Sequence, residues 1–466
     1  MIDSCRKRTI LLASFLLMTF YGRGIASPEL EVAGRFFADP DGRVVFLRGA
    51  NIAGNSKVPP FIPFKDLSAL DSLPGWGINM IRLLFTWEAY EPVPGEYNEV
   101  YLEAITAIAN AAWERGIYVI IDFHQDGFSR YVAEGCGDGF PWWAVSPAAS
   151  ISMPDNSRDC KDWQLILIGD FNMHISFHDF YADLHGVRTR YLLLWQQLAE
   201  YFQSHEGVIG YDLMNEPWGW EQNEIGPLYE DAAAVIHGID PTAILFLEPH
   251  AATSAELWET RLPRPTFDNA VYAPHYYNPV VLAFRRYFGV PLAAVEAFEK
   301  MSRTAETWNV PLFVGEFGAP EGTVRGMDYI DLLYDRLNHH LASGCQWNYT
   351  PGWTPEAKDG WNDEDFSIVD DRGKRRGFFR VRPYAQKIAG TPLRVVATAR
   401  SLEVLWYHEA AKGATELFAP RAALFGLGKY VLERSNWDVE CSYDDEERYL
   451  RCTAESNGYK RIKLRW

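Results

Sequence analysis

Positive charge is scarce in this chain. Lys and Arg total 44 against 62 Asp and Glu, a net charge of -18. That balance argues against nucleic acid and anionic membranes as electrostatic partners, and leaves a neutral substrate open. Long apolar runs are scarce too. The single candidate, Ile10 to Phe20, is short for a bilayer span of about 20 residues. It follows Arg6-Lys7-Arg8 and precedes Gly24-Ile25-Ala26-Ser27, so residues 1–26 read as a secretory signal cleaved after Ala26. The alternative is an uncleaved anchor, and with it membrane association. Cysteine is scarce, six in all, at spacings that match no zinc pattern. Export permits disulfides. With Cys5 in the signal, we expect Cys136–Cys160 across a long loop and Cys441–Cys452 across a hairpin, leaving Cys345 as a buried thiol. No internal repeat and no low-complexity linker is visible.

What is abundant is apolar and aromatic. The composition is 48% hydrophobic and 15% aromatic, with 17 Trp and 24 Tyr. That exceeds what a core needs and suits sugar or lipid surfaces. At 466 residues there is room for a large domain and a small one. A hairpin, Arg35–Phe37 and Arg43–Leu47 about the turn Asp39-Pro40-Asp41-Gly42, leads into a first strand, Arg48–Ile52. Apolar runs then recur as strands: Met80–Phe85, Tyr118–Phe123, Val208–Met214, Ala243–Glu248, Ala270–His275, Leu312–Glu316 and Cys345–Tyr349. Helical spacing alternates with them at Phe64–Leu73, Glu99–Arg115, Val187–Phe202, Leu292–Trp308 and Asp328–Ala342. Residues 125–181 form a long insertion of the kind that is usually functional. Eight strand–helix units predict a (β/α)8 TIM barrel over 27–388. The short alternating strands beyond it predict a small C-terminal β-sandwich over 389–466.

Active sites of such barrels lie at the C-terminal strand tips. At the tip of strand four stands Asn215-Glu216-Pro217, a carboxylate beside an amide able to bond a hydroxyl. At the tip of strand seven stands Glu316, within Val314-Gly315-Glu316-Phe317-Gly318. Glycoside hydrolysis needs two carboxyls flanking one bond, about 5–5.5 Å apart in a retaining enzyme. Glu216 would be the general acid/base and Glu316 the nucleophile. Arg82, inside an apolar strand, needs an anionic partner, and beside Glu316 it would keep that carboxylate ionised. His124 and His275 add donors at two further tips. Tyr277 could hold a nucleophile oxygen, and Trp347 could floor a sugar ring. This chemistry is two carboxylates and water, so no cofactor and no metal is expected.

These residues resemble the family 5 glycoside hydrolases, whose acid/base sits in Asn-Glu-Pro after strand four. More narrowly, Phe46-Leu47-Arg48-Gly49-Ala50-Asn51, Ile121-Asp122-Phe123-His124-Gln125-Asp126 with Ser129-Arg130, Tyr211 to Gly219, and Ala414-Thr415-Glu416 resemble endoglycoceramidases and related glycosylceramide hydrolases. The resemblance spans the whole mature chain. It implies cleavage between the reducing-end sugar of a glycosphingolipid and ceramide. It also implies that Asp126 and Lys57 grip that sugar, and that an aromatic residue of the insertion, Trp142 or Trp143, contacts it. Residues 155–181 fit the family pattern poorly.

Apolar residues in the active-face loops suit an acyl chain and transient contact with a membrane or micelle. They include Phe61, Ile62, Phe64, Phe140, Phe171, Phe177, Phe180, Val280, Val281, Leu282 and Phe284. Packing of the loops on the barrel is the alternative. A monomer is expected. The competing readings are an endo-β-glucanase, an exo-acting β-glucosylceramidase, and an inert carbohydrate- or lipid-binding barrel.

Overall fold

A computed structural model describes residues 30–154, 160, 163–255, 258–352, 354, 365–398, 400–419, 431–434, 438–444 and 448–465. The expected signal, residues 1–26, and part of the insertion lie outside them. No helix among the described residues is long and apolar enough to cross a membrane.

Three short strands open the chain: β1 (Glu31–Ala33), β2 (Phe36–Ala38) and β3 (Val44–Val45). Eight parallel strands follow: β4 (Arg48–Ile52), β5 (Met80–Phe85), β6 (Tyr118–Phe123), β7 (Val208–Asp212), β8 (Ile244–Leu247), β9 (Ala270–Tyr272), β10 (Phe313–Phe317) and β11 (Ser343–Tyr349). They pair in the order β10-β11-β4-β5-β6-β7-β8-β9. Parallel bridges Tyr272–Leu312 and Tyr276–Phe317 join β9 to β10 and close the barrel. Helices cover the outside, each burying one apolar stripe. Leu292–Trp308, for example, buries Ala294, Ala297, Phe298, Met301, Ala305 and Trp308.

The helix expected at Phe64–Leu73 is instead two short 3₁₀ turns, Leu67–Ser72 and Pro74–Trp76. Pro74, with no N–H to donate, cannot continue the first turn as an α-helix. Strand β9 stops short of the expected His275 because Pro274 has no N–H to donate. The insertion folds into its own helices, Trp163–Gly169 and Phe171–Tyr181, and the disulfide Cys136–Cys160 ties it.

The C-terminal strands are β12 (Tyr384–Ile388), β13 (Gly390–Thr398), β14 (Ser401–His408), β15 (Thr415–Phe418), β16 (Val431–Arg434), β17 (Val439–Asp444), β18 (Tyr449–Ala454) and β19 (Gly458–Arg465). They form two antiparallel sheets around a shared core of Ile388, Val395, Leu402, Trp406, Leu417 and Ile462. Cys441 and Cys452 face each other across β17 and β18 and are bonded. Cys345 is a free buried thiol.

A division at 388/389 does not separate two sheets. The seven-stranded sheet runs β1-β2-β3-β12-β15-β18-β17, so the opening strands and β12 belong with the C-terminal strands. Phe37 of β2 also reaches the barrel floor, stacking on Phe246 at 6.1 Å.

Candidate active site

Every second side chain of a barrel strand points inward, so the interior fills in layers. On β5, Met80 belongs to the apolar floor and Leu84 packs at the mouth with Ala53, Trp347 and Phe366. Arg82 lies between them and is fully buried. The same stepping brings Asp122 after Ile120 on β6, and Glu248 after Ile244 and Phe246 on β8. Arg82 ion-pairs with Asp122 at 2.9 Å, Asp212 at 2.8 Å, Glu248 at 2.8 Å and Glu316 at 2.9 Å. It also donates to Asn51 Oδ1 and Asn215 Oδ1. One buried cation therefore ties β5 to β4, β6, β7, β8 and β10. Burial first, then the neighbouring Glu248 charge, pushes the Asp212 carboxyl well up despite Arg82.

Glu216 follows β7 with a left-handed backbone, φ 38°. Few non-glycine residues adopt that conformation, and it persists where the surroundings hold it. Here Glu248 Oε2 accepts the Glu216 N–H at 2.8 Å. Gln125 Nε2 donates to the Asn215 carbonyl at 2.6 Å and the Glu216 carbonyl at 3.0 Å. Glu316 is held from both sides, Oε1 by Arg82 and Oε2 by the Tyr277 hydroxyl at 2.8 Å. His275 stands between the two glutamates. Its Nδ1 is 3.0 Å from Glu216 Oε1 and 3.6 Å from Glu316 Oε2, and its Nε2 is 3.0 Å from Glu248 Oε1. A carboxylate oxygen of Glu216, one of Glu316 and a His275 nitrogen all lie within 4.8 Å of one another.

The two carboxyls have different surroundings. Burial raises Glu216 above its ordinary value, and the charges of Glu316 and Asp126 add to this against His275. Burial opposes a charge on His275, but Glu248 and Glu316 hold it well above an ordinary imidazole. A carboxyl inclined to keep its proton beside one held by two donors suits an acid and a nucleophile.

A second cluster adjoins the pair. Lys57 Nζ is 2.6 Å from Asp126 Oδ2 and 4.6 Å from the centre of the Trp347 ring. His124 stacks parallel to Trp347 at 5.8 Å and bonds Asp122 through Nδ1 at 2.7 Å. Against burial, Asp122 pushes His124 up to about 10. Asn215 Nδ2 donates to the Gln125 carbonyl and reaches Asp126 Oδ1 at 3.4 Å. Trp347 is 2% exposed, so Lys57 and His124 cover its ring. Two side-chain sets converge closely enough to ligate a cation, His124–Asp126–Asp138 and Glu216–His275–Glu316. In each, a protein cation already sits on a member, Lys57 on Asp126 and Arg82 on Glu316.

The structure thus gathers Lys57, Arg82, His124, Asp126, Asn215, Glu216, His275, Tyr277, Glu316 and Trp347. It does not bring Trp142 or Trp143 to them. Trp143 donates its indole N–H to the Glu91 carbonyl and packs against Trp87, while Trp142 is 49% exposed on a 3₁₀ turn. Sequence reasoning missed Asp122, Asp212 and Glu248, although alternation along their strands could have marked each as inward. The expected apolar rim also divides. Phe61, Phe140, Phe177, Phe180 and Val281 are buried, and Phe128, Phe140, Phe177 and Phe180 pack the insertion on itself. Phe171, Val280 and Phe284 are exposed, as are Leu165, Ile168, Phe288 and Val290.

Known proteins are similar to this chain in sequence and fold. The model of Cellulase (glycosyl hydrolase family 5) matches residues 39–352, and that of the glycoside hydrolase family 5 C-terminal domain matches residues 382–464. The chain is similar to endoglycoceramidase I of Rhodococcus hoagii (strain 103S), 26% identical over 422 residues, covering 84% of this chain and 79% of that protein. Its fold superposes on endo-glycoceramidase II from Rhodococcus sp. with a TM-score of 0.75 at 26% identity, covering 92% of this chain and 98% of that one. It superposes on a crystal structure of endogalactoceramidase with a TM-score of 0.72 at 25% identity, covering 94% and 99%. The first family model alone takes in the barrel from its opening hairpin to the tip of β11. The chain is a glycoside hydrolase and belongs to glycosyl hydrolase family 5.

Proposed function

We propose that this chain is a retaining β-glycosidase that cleaves between the reducing-end sugar of a glycosphingolipid and ceramide. The observation that carries the reading is the approach of Glu216 and Glu316 within 4.8 Å at the tips of strands four and seven. One oxygen of each lying that close is in keeping with a retaining pair, whose carboxyls stand about 5–5.5 Å apart. Glu316 attacks the anomeric carbon while Glu216 protonates the departing ceramide oxygen. Water then enters, gives its proton to Glu216 and releases the glycan from Glu316. Arg82 and Tyr277 orient the nucleophile, and Lys57 and Asp126 grip the sugar.

The lipid side of the reading draws support from the endoglycoceramidase and endogalactoceramidase relatives. The exposed apolar side chains, Leu165, Ile168, Phe171, Val280, Phe284, Phe288 and Val290, supply a surface for transient contact with a membrane or micelle. Residues 1–26 direct export, and the enzyme acts as a secreted monomer.

Incubation with glucosyl-, galactosyl- and gangliotetraosyl-ceramides, reading released glycan against ceramide, tests the substrate. Hydrolysis of a soluble β-glucan with none of these cleaved would replace the reading with an endo-β-glucanase. Glu316→Gln should abolish turnover, and azide should restore it in Glu316→Ala as a glycosyl azide. Glu216→Ala should cost about 10²–10⁴-fold on ceramide and far less on an aryl glycoside that leaves without a proton. Equal losses on both would remove Glu216 from the acid role.

A further inference from the structure

The mechanism leaves one buried acid of the site unused. Asp138 is fully buried, and neither of its carboxylate oxygens has a hydrogen-bond partner among the described residues. An unpaired buried carboxylate is costly, so its place needs a reason. The insertion puts it there. Asp138 and Asp126 exchange backbone hydrogen bonds, Asp138 N–H to the Asp126 carbonyl at 2.7 Å and Asp126 N–H to the Asp138 carbonyl at 3.3 Å. The glycines on both sides make that return possible. A Cβ on Gly137 would lie 2.4 Å from the Ser129 carbonyl oxygen, and one on Gly139 would lie 2.4 Å from the Gln125 Cβ. Cys136, bonded to Cys160, anchors the same turn. Oxygens of Asp138 and Asp126 and a nitrogen of His124 lie within 4.8 Å of one another.

We infer that Asp138 is a positioning residue for the Lys57–Asp126 pair. As the neutral acid it leaves Lys57 to Asp126, and as the carboxylate it competes with Asp126 for the same ammonium and loosens the grip on the sugar. The inference rests on the proposed sugar-gripping role of that pair. Three charged groups face Asp138: Asp126 and His124 beyond β6, and Lys57 beyond β4. Burial first, then the Asp126 charge, pushes the Asp138 carboxyl up to about 8, against Lys57 and His124. Asp126 goes the other way. Burial opposes its charge, yet Lys57 and His124 hold it well below the usual carboxylate range. Two neighbouring acids driven apart in this way divide the roles, one ionised to bind and one protonated to permit it.

The test is the pH dependence of KM and kcat, measured separately from pH 6 to 9 on whichever soluble aryl β-glycoside the enzyme cleaves fastest. In the wild type, KM should rise about tenfold by pH 9, as one ionisation near 8 requires, with kcat following a separate curve. Asp138→Asn, whatever its KM at pH 6, should lose that rise. Asp138→Ser, equally unable to ionise, is the second variant and should lose it too, should the first not fold. An alkaline rise in KM that survives in either variant would overturn the inference, as would a flat wild-type profile. Asp126→Asn separates the two layers. If it leaves KM unchanged, the sugar-gripping reading itself fails. If it raises KM while the Asp138 variants keep the wild-type profile, only the assignment of Asp138 falls.

Discussion

Arg82 meets Asp122, Asp212, Glu248 and Glu316, with none of its side chain exposed. Removing a guanidinium from water costs several kcal/mol, returned only when its partners and their remaining bonds are well placed. Replacing it with Met would leave buried carboxylates without their cation. We expect Arg82→Met to lose about 3–5 kcal/mol of stability along with activity, read from denaturant midpoints. Lys would keep the charge but not the fork that reaches four acids at once. Glu216 gives a prediction of a different kind. The Glu316 charge is one of the causes raising its carboxyl. Glu316→Gln should therefore lower the pH at which Glu216 titrates, measured by ¹³C carboxyl shifts. The same change occurs when Glu316 becomes esterified, turning the acid of the first step into the base of the second. Glu216, Glu316 and Tyr277 were legible as polar residues at or beside the end of an apolar run, and Arg82 as a lone charge inside one. Asp122, Asp212 and Glu248 were as well placed but went unread, since strands covered on both faces present runs in which the inward period of two is hard to see.

Elements with a long, clean period were read to the residue. Tyr118–Phe123, Val187–Phe202 and Leu292–Trp308 have the expected bounds. The misses have local causes. Pro74 stops the first 3₁₀ turn of the expected helix at 64–73 from continuing as an α-helix. In strand β13 Pro392 interrupts the alternation, and β17, Val-Glu-Cys-Ser-Tyr-Asp, is the Cys441 side of the expected hairpin. The insertion's aromatics were expected at the rim, but Phe128, Phe140, Phe177 and Phe180 join the barrel core, with Phe140 meeting Phe123 of β6 at 5.2 Å and Phe180 meeting Tyr191 at 5.4 Å. The Cys136–Cys160 bond closes the start of the insertion. A loop of this size is worth about 3 kcal/mol by loop-closure entropy. Cys160→Ser should lose about that amount in thermal unfolding and expose 125–181 to limited proteolysis before the barrel. A barrel that becomes cleavable at the same time as the insertion would show that the disulfide supports the whole fold.

At the scale of the molecule, barrel and sandwich share their strands. β3 pairs with β12, so the seven-stranded sheet draws on both ends of the chain. The same N-terminal segment seals the barrel floor with Phe37, which is 1% exposed. We expect Phe37→Ala to cost about 3–5 kcal/mol. A chain ending at 388 should fail to give a soluble, active barrel, because β12 would lose its partner β15 and the core they share. Active, monodisperse protein from that truncation would show the barrel to be self-sufficient. A boundary at 388/389 follows the change of pattern along the chain, while β12 pairs with β3 before that point and with β15 beyond it.

That sheet also constrains the order of events at birth. β1, β2 and β3 are made before the barrel, yet β12, which pairs with the far edge of β3, is not made until the entire barrel has been synthesised. During all that time a short apolar hairpin waits with one edge open. Folding of this protein cannot run to completion from the N-terminus. β3 is among the last of the early strands to gain its full set of neighbours.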